Sequence, residues 1–247
     1  MIKNIIFDLC GPIITIDLNM MNNKFFELGV RGVDNPYKAL YKAGVTKAFE
    51  KNQITVDEFC DEVRKVLDTP LTDVQILEAW NTLIVSAPME HAVLLKHLSH
   101  RYNLYLLSNS DVVNADYFRK YVGENMGHDL FQTAFRKVFF SCELGLRKPE
   151  PAVFQTILVK EKLRATETLL IDDCKKHTEG ASFAGLNTIW LEKGKDISEL
   201  FDSEGSCAGC CKDKRSTGDY RCQPAVNAAV NHQYTWSWIS VCGGCDT

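Results

Sequence analysis

The sequence lacks an excess of positive charge and any long apolar run, and both absences exclude classes of function. Its 28 lysine and arginine residues are outnumbered by 32 aspartate and glutamate residues, which gives a formal net charge of -4 at pH 7. A general nucleic-acid binder needs a basic face that displaces counterions from phosphates, so we expect no nucleic-acid partner. No window approaches the roughly 18 to 20 apolar residues that span a bilayer, so we expect no membrane partner either.

We do not expect the first residues to form a signal peptide, and residues 1–202 contain no repeats or low-complexity tracts. The first apolar stretch is interrupted by Asp8 and is followed by no small-residue cleavage site, which differs from a signal peptide. We therefore expect a cytoplasmic protein. Oligomeric state leaves no signature in the sequence.

Cysteine is plentiful but unevenly distributed. Four of the ten cysteines, Cys10, Cys60, Cys142 and Cys174, are scattered through the first part of the chain, where isolated thiols usually behave as small core hydrophobes. The others crowd into a Gly-, Ser- and Asn-rich extension that we place at residues 203–247. Three interpretations stay open for it: a Zn²⁺ or other soft-metal site built on its two CxxC pairs, a disulfide-linked appendage, or an extension of poor order without a function of its own, a non-native sequence included.

Five short runs rich in β-branched and aromatic residues predict the strands of a parallel sheet. From the second run onward they are separated by stretches long enough for a helix and two loops, which is the rhythm of βαβ units. Their continuous apolarity suits strands that are covered on both faces. The predicted fold class is therefore α/β, a doubly wound parallel sheet. The predicted strands are Asn4–Leu9, Leu104–Leu107, Lys137–Ser141, Thr168–Ile171 and Asn187–Leu191.

A long break separates the first two runs, and its pattern is helical. Thr55 with Glu58, and Thr72 with Gln75, form capping boxes, and apolar residues follow each of them at helical spacing. We predict a small helical cap domain inserted into an α/β core. The predicted boundaries are residues 1–16 and 88–202 for the core and residues 17–87 for the cap.

Polar residues that suit phosphate chemistry follow four of the predicted strands. Asp8 ends the first strand on a glycine-containing turn, and Ser108 and Asn109 end the second. Lys148 is predicted to open the helix after the third strand, and the acidic pair 172–173 ends the fourth. Open parallel sheets bind ligands at the carboxyl ends of their strands, so we expect these groups to meet. Together they supply a nucleophile, hydroxyl and amide donors, a cation and metal ligands, which phosphoryl transfer requires.

The order and spacing of these four elements resemble the haloacid dehalogenase-like (HAD) hydrolase superfamily over residues 1 to about 202. The phrases Glu143-Leu-Gly-Leu-Arg-Lys148-Pro-Glu150 and Ile54-Thr-Val-Asp-Glu-Phe59 look like the branch of sugar-phosphate phosphatases with a helical cap, and within it like the α-glucose-1-phosphatase-like members. The resemblance implies a Rossmann-like core, phosphoric monoester hydrolase activity and Mg²⁺ as cofactor.

The resemblance also implies a role for each matching residue. Asp8 would attack phosphorus and form an aspartyl-phosphate, while Ser108 and Lys148 would hold and neutralise the phosphoryl group. Mg²⁺ would be bound by oxygen ligands, with Asp173 favoured as the direct ligand of the acidic pair and waters completing the octahedron. The implied residues are catalytic Asp8, Ser108 and Lys148, substrate-binding Leu9, Cys10 and Asn109, and metal-binding Asp8, Cys10 (through its carbonyl), Asp172 and Asp173.

Three residues depart from the usual pattern of this superfamily. Cys10 stands where most of its phosphatases carry a second aspartate, which protonates the leaving group and then activates water. A thiol is a poor substitute for that acid, so we expect slow turnover, although the glucose-1-phosphatase-like branch often carries glycine there. Pro12 removes a backbone N–H on the turn beneath the phosphate. His177 replaces the usual Asn or Asp four residues after Asp173.

We therefore predict a Mg²⁺-dependent phosphatase that acts on a small phosphorylated metabolite, with a sugar phosphate as the first candidate. Two alternatives stay open. One is a non-catalytic homologue that binds a phosphorylated ligand or a protein. The other is a 2-haloacid dehalogenase, because those enzymes also lack the second aspartate; the acidic pair 172–173 favours magnesium and argues against it.

Overall fold

The computed structural model describes residues 1–207. The zinc and disulfide interpretations concern cysteines that, apart from Cys207, lie outside the described residues. Cys207 is buried, forms an antiparallel bridge with Phe201, and its N–H donates to the Tyr102 hydroxyl at 3.4 Å. Within residues 1–207, no helix is long and apolar enough to cross a membrane.

A five-stranded parallel sheet forms the centre of the fold and confirms the predicted α/β class. Its strands are β1 (Asn4–Phe7), β4 (Asn103–Ser108), β5 (Lys137–Phe140), β6 (Thr168–Asp172) and β7 (Asn187–Trp190). They lie in the order β5-β4-β1-β6-β7. The chain thus winds outward on one side of β1 and then on the other, and such a reversal creates a ligand-binding crevice at the carboxyl ends of the central strands.

The strands are shielded on both faces, which explains their continuous apolarity. Ile5 and Phe7 of β1 belong to the larger apolar cluster, while Ile6 between them belongs to a smaller cluster on the opposite face. Phe7 is in register with Leu106 of β4 and with Ile171 of β6. Because the three strands end nearly level, the polar residues that follow them meet at one edge of the sheet.

Helices cover the two faces of the sheet. Apolar residues of α6 (Met89–Ser99) and α7 (Val112–Met126) pack into the larger cluster, and those of α10 (Pro151–Lys160) and α11 (Lys175–Phe183) pack into the smaller one. The helices of this core within the described chain are α6 (Met89–Ser99), α7 (Val112–Met126), α8 (Leu130–Thr133), α9 (Ser141–Leu144), α10 (Pro151–Lys160) and α11 (Lys175–Phe183), with short 3₁₀ turns at Ala165–Glu167 and Ile197–Leu200.

A helical segment, residues 18–80, is inserted between β1 and β4. An antiparallel ribbon joins it to the core on both sides, formed by β2 (Thr15–Ile16) and β3 (Ile84–Ser86). Its helices are α1 (Leu18–Glu27), α2 (Pro36–Lys42), α3 (Val45–Glu50), α4 (Val56–Leu67) and α5 (Asp73–Trp80).

Aromatic side chains of the helical segment pack together and continue the larger apolar cluster of the core. Phe49 stacks on Phe59 with ring centroids 4.1 Å apart, and Trp80 meets Phe59 edge-on at 4.8 Å. Both predicted capping boxes are present, at Thr55 and at Thr72, and they begin α4 and α5. The limits of the predicted cap domain, 17 and 87, stay a prediction.

Lys148 does not open a helix, and that prediction is wrong. Lys148 lies in the loop between α9 and α10, and α10 begins only at Pro151. The physical reason lies in two prolines: Pro149 disfavours the helical conformation of the residue before it, whereas Pro151 suits the first position of a helix. The Lys148–Pro149 peptide is cis.

Helix α11 approaches this loop through Gly180, and the contact provides a test. A Cβ atom at Gly180 would lie 2.1 Å from the Pro149 carbonyl oxygen, whereas one at Gly123 in α7 would meet nothing closer than 3.7 Å. Gly180→Ala should therefore lower the free energy of unfolding by about 1 to 3 kcal/mol through overpacking. Gly123→Ala, the matched control, should raise it by roughly 0.5 to 1 kcal/mol, because alanine favours a helix. Urea denaturation measures both values, and an undiminished stability of Gly180→Ala would contradict the close approach.

Candidate active site

The ammonium group of Lys148 lies buried between two carboxylates at the carboxyl edge of the sheet. Its Nζ atom is 2.7 Å from Oδ2 of Asp8 and 2.7 Å from Oδ2 of Asp172. Lys148 and Asp172 are fully buried, and Asp8 is nearly so. Because β1 and β6 pair in register, Asp8 and Asp172 are side by side and would repel each other without the cation between them.

The ionisation equilibria of these three groups are shifted together. Burial opposes the charge of Lys148, yet Asp172 and Asp8 raise the pKa of Lys148 above its usual range. Burial is likewise outweighed at Asp172, where Lys148 and then His177 lower the pKa. At Asp8, burial and the charge of Asp172 prevail over Lys148 and raise the pKa to about 8. One ammonium therefore does not fully balance both carboxylates.

Asn109 fixes the backbone of Lys148 from the end of β4. Its Nδ2 atom donates to the Lys148 carbonyl at 2.9 Å, and its Oδ1 atom accepts from the Lys148 N–H at 2.8 Å. The side-chain amide is thus engaged within the protein and positions Lys148. A substrate-binding role for Asn109 stays a prediction.

Ser108 places a buried hydroxyl at the end of β4. Its Oγ atom is 2.9 Å from Oγ of Ser110. Ser110 is held in turn by Ser141, which accepts from the Ser110 N–H at 2.9 Å and donates to the Ser110 carbonyl at 3.1 Å. These contacts fix the orientation of the Ser108 hydroxyl.

His177 is the second cation of the cluster. Its Nδ1 atom is 3.0 Å from one carboxylate oxygen of Asp172 and 3.1 Å from the other. Burial works against protonation of His177, but the charge of Asp172 raises its pKa to about 9. A protonated imidazole has no lone pair for a metal, so His177 serves as a charge partner, although its ring lies within 4.8 Å of the carboxylate oxygens of Asp8 and Asp172.

Asp173 is directed to the turn that follows β1. A Cβ atom on Gly11, whose φ is +100°, would lie 2.2 Å from Oδ2 of Asp173, so only glycine permits this approach. The Asp173 carbonyl accepts from the Trp190 indole N–H at 2.8 Å. The Asp173 side chain is exposed, yet partial desolvation and then the charge of Asp172 raise its pKa to about 6.

The donors at this edge of the sheet fit Mg²⁺. This cation prefers oxygen ligands and binds proteins through one or two carboxylates while keeping several waters. Asp8 and Asp173 border the same turn, and the pKa of each is raised by burial and by the charge of Asp172. A divalent cation beside them would offset the surplus of negative charge.

Two further residues of the predicted set lie on this turn. The Leu9 N–H donates to Oδ1 of Asp8 at 2.7 Å, while the Leu9 side chain is buried in the core. Cys10 is half-buried, and burial together with the charge of Asp8 raises the pKa of its thiol well above the ordinary value. The thiol therefore stays neutral, and its hydrogen-bond partner is Ser108.

Sequence reasoning missed the contacts through which the helical segment reaches this site. Arg147 precedes Lys148 in the recognised phrase, but its ion-pair partner Glu50 lies far away in the chain, and no local pattern marks it. The same holds for Trp80, whose indole N–H donates to the buried carboxylate of Asp111 at 2.9 Å.

Fold and site together define a class: a parallel α/β core with an aspartate at the end of its central strand, a buried lysine beside it and an inserted helical segment. No protein-family model matches the sequence. The D-ribitol-5-phosphate phosphatase of Bacteroides thetaiotaomicron is 26% identical to this chain over 196 residues, which cover 79% of this chain and 95% of the relative.

Solved structures agree with that class. A HAD family enzyme from Bacteroides thetaiotaomicron, crystallised with magnesium and inorganic phosphate, is 30% identical with a TM-score of 0.74, and the match covers 82% of this chain and all of that one. A HAD-like family hydrolase from Porphyromonas gingivalis is 26% identical with a TM-score of 0.71, over 81% of this chain and 96% of the other. The chain belongs to the haloacid dehalogenase-like (HAD) hydrolase family.

The contacts of Asn109 with Lys148 provide a second test. Asn109→Ala leaves the backbone N–H and carbonyl of Lys148 without these partners, so we expect the free energy of unfolding to fall by about 1 to 3 kcal/mol. Asn125, whose exposed amide donates to the Tyr121 carbonyl, is the matched control. Its replacement by alanine should change stability by no more than about 0.5 kcal/mol. Equal effects of the two substitutions in urea denaturation would argue against a positioning role for Asn109.

Proposed function

We propose that this protein is a Mg²⁺-dependent phosphatase of a small phosphorylated metabolite, a sugar or sugar-alcohol phosphate. The observation that carries the proposal is the Lys148 ammonium held 2.7 Å from both Asp8 and Asp172. A nucleophilic carboxylate beside a fixed cation suits a phosphoryl group, whose negative oxygens gain most from positioning and neutralisation. The sugar-alcohol phosphate acted on by the ribitol-phosphate phosphatase supports this substrate class.

In the proposed reaction Asp8 is the nucleophile. One of its carboxylate oxygens attacks phosphorus, and the bond from phosphorus to the alcohol oxygen breaks, so that the phosphoryl group is carried as an aspartyl-phosphate. The departing alkoxide takes a proton from solvent water and leaves as the alcohol. Water then attacks the aspartyl-phosphate, which releases inorganic phosphate and restores Asp8. Lys148 neutralises charge on the transferring group, and the Ser108 hydroxyl donates to one of its oxygens.

The proposed metal ligands are oxygen atoms of Asp8, Asp172 and Asp173 and the backbone carbonyl of Cys10. Asp173 is the better direct ligand of the acidic pair, because the oxygens of Asp172 already accept from Lys148, from His177 and from the Cys174 N–H. When bound, Mg²⁺ supplies positive charge to the phosphoryl oxygens and lowers the pKa of the carboxylates around it.

Two other functions stay candidates. A non-catalytic HAD homologue would bind a phosphorylated ligand through the same cation and hydroxyl without turnover. A 2-haloacid dehalogenase would use Asp8 against carbon and would need no metal. The cluster of carboxylates in excess over its cations favours the metal-dependent phosphatase over the dehalogenase, since a dehalogenase has no need of the second acidic residue at Asp173.

The first functional test is hydrolysis of a panel of sugar and sugar-alcohol phosphates. Turnover should require Mg²⁺, vanish in EDTA and fall by roughly 10⁴-fold or more in Asp8→Asn, because that change removes the nucleophile. Asp116→Asn, at an exposed helix position, is the control and should retain activity. Turnover of 2-chloropropionate in EDTA would favour the dehalogenase. Binding of inorganic phosphate without turnover of any ester, undiminished in Asp8→Asn, would favour the non-catalytic homologue.

A second test addresses position 10. The neutral thiol of Cys10 is a poor proton donor, so Cys10→Asp should raise turnover of alkyl phosphates, by up to about 10²-fold if the carboxyl acts as general acid and base. Cys10→Ala should leave turnover near the wild-type rate, since little proton transfer depends on the thiol. A large loss in Cys10→Ala, measured under the same Mg²⁺ conditions, would show that the thiol itself takes part.

A further inference from the structure

Two ion pairs join the helical segment to the loop that carries Lys148. Nε of Arg147 is 2.5 Å from a carboxylate oxygen of Glu50, and each of these side chains is only 11% exposed. Beside them, Nζ of Lys51 is 3.1 Å from Glu150 and this pair is more exposed. Successive residues of the segment carry opposite charges, and so do their partners in the loop. The helical segment and the loop can therefore form both ion pairs in only one relative position.

The side-chain partners of Arg147 belong to the helical segment. They are Glu50, at the end of α3, and Tyr41 in α2, whose ring centroid is 6.0 Å from the guanidinium carbon. A movement of the helical segment away from the core would remove both. The same movement would expose the guanidinium of Arg147 to water, so its side chain would no longer be fixed in one position.

Arg147 is joined through one peptide bond to Lys148. The Lys148 backbone is already held by Asn109, and its ammonium is shared by Asp8 and Asp172. Movement of Arg147 would therefore disturb the contacts of Lys148 with Asn109, Asp8 and Asp172. The position of the helical segment thus affects the position of the Lys148 ammonium through Arg147.

A second contact of the helical segment acts on the loop after β4. The indole N–H of Trp80 donates to Asp111, which also caps α7 by accepting from the N–H groups of Val113 and Asn114. Asp111 directly follows Ser110, whose hydroxyl contacts Ser108. The helical segment therefore touches both loops that supply groups for a phosphate, and we call this arrangement closed.

We propose that Glu50 and Arg147 form a latch: Arg147 is a positioning residue that places Lys148 for phosphoryl transfer only while the helical segment is closed. The inference rests on the proposed function, because its consequence is a dependence of turnover on the latch. It adds that residues of the helical segment control the cation of the site without touching the substrate.

Glu50→Gln and Arg147→Gln test the latch through two readouts in the same proteins. Each variant should lower kcat by about tenfold to a hundredfold, the usual consequence of a small misplacement of a catalytic group, with KM changed no more than about threefold. The double variant should be no slower than the slower single one, because both break one pair. Backbone hydrogen exchange at the Lys148 N–H should be about tenfold faster in all three, since its bond to Asn109 is loosened.

The control is Lys51→Gln, which breaks the neighbouring pair without touching Arg147. It should leave kcat within about twofold of the wild-type value and leave exchange at the Lys148 N–H unchanged. A loss of kcat as large as that of Glu50→Gln would indicate a general loosening of the interface and would contradict the latch. If the single variants fail to fold, Glu50→Met with Arg147→Met exchanges the pair for apolar side chains of similar volume, which commonly preserves folding. We expect that protein to be stable and slow.

The latch is overturned by a fall in thermal stability with kcat retained, by losses that multiply in the double variant, or by unchanged exchange at the Lys148 N–H. Failure of the proposed function is a different result. A wild-type protein that turns over no phosphate ester would refute the phosphatase, while exchange at the Lys148 N–H in the same variants would still decide whether closure positions Lys148.

Discussion

The buried ammonium of Lys148 between Asp8 and Asp172 is the interaction on which the site depends. Parallel pairing of β1 with β6 brings the two carboxylates side by side, and burial makes their repulsion expensive. The loop between α9 and α10 must therefore deliver a cation to the carboxyl edge of the sheet. Asn109, the close approach of α11 at Gly180, and Arg147 all act on this loop, so several otherwise unrelated features serve the placement of one charge.

The net charge of the cluster supports the proposal that a cation binds there. The cluster carries a net charge of one negative unit when its three carboxylates, Asp8, Asp172 and Asp173, are ionised and its two bases, Lys148 and His177, are protonated. A divalent cation reverses that sign and makes the site attractive to a phosphate. A second aspartate in place of a neutral thiol would restore an equal balance and so weaken this attraction, while supplying the proton donor that the thiol does not.

The sequence predicted the parts of the molecule that depend on local patterns. Continuous apolar runs identified the five strands of the parallel sheet, and two capping boxes identified helices of the inserted segment, because each signal spans a few neighbouring residues. The two short strands of the antiparallel ribbon were not predicted. The approach of Asp8, Ser108, Lys148 and Asp172 followed from a general property of parallel sheets. The loop around Lys148 was predicted wrongly as a helix start, because the effect of each proline depends on where the helix begins. The partners of Asn109 and Arg147 could not be predicted, since a polar side chain does not reveal which distant group it meets.

The buried pair of Glu50 and Arg147 is hard to explain by stability alone. Desolvation of two charges commonly cancels their attraction, and apolar residues of similar volume often stabilise a protein as well or better. What a buried ion pair adds is specificity: only one placement of the helical segment satisfies both charges, whereas apolar surfaces tolerate sliding. In the proposed latch, the pair would define the closed position of the helical segment. It would do so without a large gain in free energy that would oppose opening.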